Sequence, residues 1–141
     1  MLYEYLANSF LYKEDWNCAE HVLIGANRVY GLGLSDNAIK LAAGFGAGVS
    51  SGDICGALAG AVMALGALFV NERAHESDKI KVLTNELLNS YREKMGQIDC
   101  TPLKAQYRTE ESKCRDIILE AAGILDGIVA REKPDLACVA K

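Results

Sequence analysis

No Cys-x-x-Cys pair occurs in this chain, although it holds five cysteines in 141 residues. That absence disfavours thioredoxin-like chemistry and the local chelates of zinc ribbons and ferredoxins. Basic residues are in short supply: 15 Lys and Arg stand against 19 Asp and Glu, a net charge of −4. Without a basic stripe to neutralise phosphates, nucleic acid is not an expected partner. Histidine is limited to His21 and His75, neither in a ligand-spaced motif with a second histidine. The glycine run Gly44-Phe45-Gly46-Ala47-Gly48 follows a predicted helix and is not closed by Gly-Lys-Ser/Thr, so it does not read as a phosphate loop. No hydrolase elbow or metalloprotease signature is present. Glu4 falls within Met1–Tyr5, where a signal peptide would carry basic and then apolar residues; the expected location is cytoplasmic. The apolar run Ile54–Val70 would make about 25 Å of helix. A span takes about 20 residues, and this run is rich in Gly and Ala without a basic flank, so it reads as a core helix and the chain as not membrane-spanning.

What is present reads as one all-α domain over residues 1–132, with a poorly ordered tail at 133–141. Half the residues are hydrophobic, enough for a core at this length. Apolar spacing predicts about six helices around a central apolar, Gly/Ala-rich one. The first covers Leu2–Leu11. The second opens at Asn17-Cys18-Ala19-Glu20, a capping-box pattern, and stops before Gly31, with Cys18, Val22, Gly25 and Val29 inward. The third runs from Ser35 to about Ala43. Asp53 is the expected N-cap of the fourth, Ile54–Val70, whose small residues Gly56, Gly60 and Ala64 form a ridge suited to close backbone approach. Helix five covers Ser77–Met95, with Ile80, Leu83, Leu87, Tyr91 and Met95 on its apolar face. Pro102 predicts a non-helical connector around Cys100. The last helix covers Thr109–Arg131, with Cys114, Ile117, Ala121, Leu125 and Ile128 inward; Gly123 and Gly127 within it imply close packing.

In a reducing compartment cysteines are more often catalytic, redox-sensing or metal-bound than structural. Cys18, Cys55 and Cys114 fall at predicted helix starts, where unpaired N–H groups and the positive end of the macrodipole favour a thiolate. Cys100 lies in the predicted connector, and Cys138, in the tail, reads as incidental. Cys55 is the expected activated thiolate, with Cys18, Cys100 or Cys114 as resolving partner; Gly56 and Gly60 leave room for another sulfur, a substrate or a cofactor. Equally, Cys18, Cys55, Cys100 and Cys114 could together ligate an iron–sulfur cluster or zinc. Cys18 and His21 share a helix face, but His21 reads as a surface residue and His75 as solvated.

The run Cys55-Gly56-Ala57-Leu58-Ala59-Gly60, with one cysteine well before it and two after it, resembles the C_GCAxxG_C_C family of redox-active proteins. The resemblance extends from Asn17-Cys18-Ala19 through the glycine run to Cys114. It implies that Cys18, Cys55, Cys100 and Cys114 are the motif cysteines and that they carry redox activity, with no substrate attached; Cys138 has no counterpart. A related domain type carries an iron–sulfur cluster, which the resemblance also admits.

Three functions are therefore open: thiol–disulfide exchange or electron transfer with an unidentified redox partner, cluster or metal binding, and a non-catalytic helical interaction protein. The apolar surface to spare would also suit a homodimer.

Overall fold

The computed structural model describes residues 1–9 and 15–139, and of 137–139 the backbone only. Among the described residues every regular element is helical: α1 (Leu2–Ala7), α2 (Cys18–Tyr30), α3 (Asp36–Ile39), α4 (Gly56–Phe69), α5 (Lys79–Met95), α6 (Cys100–Tyr107), α7 (Arg115–Glu132) and α8 (Pro134–Val139). None is long and apolar enough to cross a membrane.

α2 starts as its sequence dictates. The Asn17 side chain accepts from the Glu20 N–H at 2.9 Å, and the Glu20 carboxylate accepts from the Asn17 N–H at 3.0 Å. The helix ends at Gly31 in the left-handed conformation, and α5 ends likewise at Gly96. α4 packs against α2, α5 and α7, and its ridge faces α2: a Cβ on Gly60 would lie 2.6 Å from the Ala19 carbonyl oxygen. The core gathers Leu58 and Leu65 from α4, Leu83, Leu87 and Tyr91 from α5, and Ile117, Ala121, Leu125 and Ile128 from α7. Each large apolar side chain removed from water there contributes about 1.5–3 kcal/mol. α1 is tied to α7 through Asp126, whose carboxylate accepts from the Leu2 N–H (2.9 Å), the Tyr3 N–H (2.8 Å) and the Tyr30 hydroxyl (2.5 Å).

Several boundaries differ from the sequence reading. The described part of the first helix ends at Ala7; Phe10 and Leu11 lie outside the described residues. Cys55, not Asp53, is the N-cap of α4, because Asp53 and Ile54 are drawn into an antiparallel bridge with 98–100: the Cys55 N–H donates to the Ile98 carbonyl and the Cys100 N–H to the Asp53 carbonyl. The connector around Cys100 is helix α6. Pro102 is its third residue, where a missing N–H costs no intrahelical bond. α7 begins only at Arg115, since Thr109–Lys113 form a turn closed by a 2.8 Å backbone hydrogen bond. Pro134 opens α8, and Leu136 packs on the core where a loose tail is expected. Gly127 is exposed with nothing near its missing Cβ, so close packing does not account for it; Gly123 faces the Tyr3 ring.

Candidate functional site

Four cysteines start four different helices. Cys18 is the first residue of α2 and Cys100 the first of α6; Cys55 caps α4 and Cys114 caps α7. The sequence pattern places three of them so, and the structure adds Cys100. All four line one cavity of about 10 Å³, with Gly56 and Lys104 among its other walls. That volume is roughly the room of one water. Cys55, Cys100 and Cys114 are buried, while Cys18 is half-buried.

Burial governs two of the thiols. It pushes Cys55 up to about 12, against the N–H groups of Leu58 and Ala57 and with the help of the sulfurs of Cys18 and Cys100. It also raises Cys18, opposed by the Ala47 N–H and reinforced by Cys114 and Cys100. Burial thus acts against the activated thiolate expected at Cys55. A helix start offers one or two N–H groups, and withdrawing a charged sulfur from water costs more than those contacts return.

The segment after α3 packs against Cys18, Gly56 and Cys100. Lys40–Phe45 continue as a 3-10 helix, and the chain then enters a left-handed turn, with φ of 54° at Ala47, 65° at Gly48, 57° at Val49 and 56° at Ser50. Each non-glycine residue held there costs about 1–2 kcal/mol. The turn is secured by a 2.9 Å hydrogen bond from the Asp53 N–H to the Gly48 carbonyl and by Asn17, whose Nδ2 donates to the Ala43 carbonyl at 2.8 Å. Gly48 is required twice over: besides its positive φ, a Cβ there would lie 2.6 Å from Cys100 Cβ. Gly56 is required because Cys18 Sγ and the Phe45 carbonyl oxygen occupy the space a side chain would need. Gly60, by contrast, serves the packing of α2 on α4.

Two cations at the pocket were not singled out by sequence reasoning. Arg108, the residue after α6, donates from Nη1 to Cys114 Sγ at 3.5 Å, and Lys104 lines the cavity. Their signal is faint but present: both lie between Cys100 and Cys114, four and eight residues after the first. His21 is a correction. It is 4% exposed, its Nδ1 lies 2.9 Å from the Asn17 carbonyl oxygen, and its ring meets Trp16 edge-on. Burial lowers its pKa. His75 is exposed as expected, and the side chain of Cys138 lies outside the described residues.

Four thiolates are the right donors for zinc or a cluster, but the arrangement does not fit either group. A one-water cavity has no room for a cluster of several iron and sulfide atoms, and no three His, Cys, Asp or Glu side chains are set to hold a metal ion among the described residues.

A model of the family described as "Putative redox-active protein (C_GCAxxG_C_C)" matches residues 16–128. No curated protein and no solved structure shows significant similarity to the chain.

Proposed function

Since the chain belongs to the C_GCAxxG_C_C family, we propose that it carries out thiol–disulfide exchange with two of its four clustered cysteines. The observation that supports this reading is the convergence of Cys18, Cys55, Cys100 and Cys114, far apart in the chain, on one cavity. A thiolate of the pair attacks a sulfur of a partner disulfide; the new bond is a mixed disulfide, and the partner's other sulfur leaves and takes up a proton. The second cysteine, giving its proton to solvent, then displaces the partner's remaining sulfur. Two electrons pass to the partner, which becomes a dithiol, and the protein is left with an internal disulfide. The reverse sequence oxidises a dithiol partner. A small apolar cavity suits this, because two neutral thiols or one disulfide can be buried without leaving a charge out of water.

Equilibration in dithiothreitol buffers of graded poise, followed by alkylation and intact mass, tests the proposal. The expected outcome is a reversible loss of two alkylatable thiols among these four cysteines. A full complement of thiols under every oxidising poise would overturn it. So would a visible chromophore accompanied by iron after anaerobic purification.

A further inference from the structure

The four cysteines differ in what faces them, and this assigns their order of action. Arg108 is the one cation whose hydrogen bond to a cysteine sulfur is seen among the described residues, and the sulfur is that of Cys114. Resting on the exchange reading above, we infer that Cys114 is the attacking thiol, that Arg108 is its catalytic charge partner, and that Cys18 resolves the mixed disulfide.

Local chain geometry builds the contact. α6 ends at Tyr107, and the turn Thr109–Lys113, with its backbone hydrogen bond and the Thr109–Ser112 hydroxyl pair, brings Cys114 back against the guanidinium six residues before it. Arg108 is exposed, and neither it nor Lys104 forms an ion pair with a carboxylate among the described residues. Both charges are thus available to the pocket. An exposed guanidinium can also swing aside to admit a partner's disulfide, whereas Cys55 and Cys100 are flanked by backbone: the bridge at Ile54 and Asp99, and Gly48.

Cys18 follows as the resolving thiol. It is the least buried of the four, and it lines the same cavity as Cys114. In the step itself, Cys114 Sγ bonds to one sulfur of the incoming disulfide while that disulfide's S–S bond breaks. The departing thiolate takes the proton that Cys114 released to solvent. Cys18 Sγ then bonds to Cys114 Sγ, its proton passing through solvent to the second departing sulfur. Arg108 stays protonated throughout and faces the negative charge on sulfur. Because the guanidinium lies against the attacking sulfur, its loss should slow attack by about threefold or more.

The probe is cystamine, a cationic disulfide, so that a loss of rate cannot come from lost attraction to an anionic reagent. Wild type should form a Cys18–Cys114 disulfide. Cys18→Ser should instead hold a cysteamine adduct on Cys114. Arg108→Gln should slow attack by about threefold or more with unchanged circular dichroism, and Arg108→Lys should keep most of the rate. A pulse of neutral iodoacetamide on the reduced wild type should mark Cys114 first. An adduct on Cys55 or Cys100 in Cys18→Ser, first labelling elsewhere, or wild-type rates in Arg108→Gln would overturn the assignment while leaving exchange in place. Formation of no internal disulfide by the wild type would overturn the exchange reading and this one together.

Discussion

At Gly56 a Cβ would meet Cys18 Sγ on one side and the Phe45 carbonyl oxygen, at 2.8 Å, on the other. The sulfur can shift a little; the backbone cannot without disturbing the turn behind it. Gly56→Ala is therefore expected to cost about 1–3 kcal/mol in urea unfolding, the range of an overpacked core, and to speed iodoacetamide labelling of Cys18 as the turn is displaced. Cys55 carries a pH signature of its own. Folding holds its thiol at about 12 instead of the ordinary 9.0, so above pH 9 the unfolded chain loses a proton that the folded chain keeps. Stability should therefore fall as pH rises from 9 towards 12, and Cys55→Ser should flatten that part of the curve in guanidinium melts. His21 acts with the opposite sense: burial depresses its pKa, so the unfolded chain binds a proton first and stability falls as pH drops below about 6.5.

Among the elements, α2 was the most legible and the segment before α4 the least. Asn17 and Glu20 form the capping box their spacing announces, and Asn17 also holds the Ala43 carbonyl. Asn17→Ala removes both attachments and should cost about 1–2 kcal/mol, with faster amide exchange over 43–50 as the sign that the turn has loosened. Nothing in Gly46-Ala47-Gly48-Val49-Ser50 announces a left-handed turn, since Ala, Val and Ser avoid that region in isolation; tertiary contacts at Asp53, Cys18 and Cys100 impose it. Val49 is 41% exposed and holds φ at 57°. Val49→Asn, which accepts that conformation more readily, should raise the melting temperature by an amount corresponding to about 1 kcal/mol. Pro102 misled for a related reason: proline excludes helix from its own chain interior, yet the first turn of α6 has no use for its missing N–H.

Across the whole molecule, Asp126 joins α1, α2 and α7 by accepting three hydrogen bonds, two from the N–H groups that open α1. Asp126→Ala strands the Tyr30 hydroxyl, which is buried, and frees α1 from its dock. The expected loss is about 2–4 kcal/mol, with proteolysis beginning ahead of α2; wild-type cutting kinetics would show that the carboxylate is not the joint.

The identity of the core faces, the caps of α2 and three of the four helix-start cysteines were readable from the chain, because caps and apolar periodicity act over three or four residues and need no partner from elsewhere. Which sulfurs share a cavity, how far burial overrides the helix-start advantage, and which cysteine faces a cation are consequences of packing. Desolvation and charge contact depend on atoms brought together across the fold, and Arg108 reaches Cys114 only because α6, the turn after it and α7 close on one another.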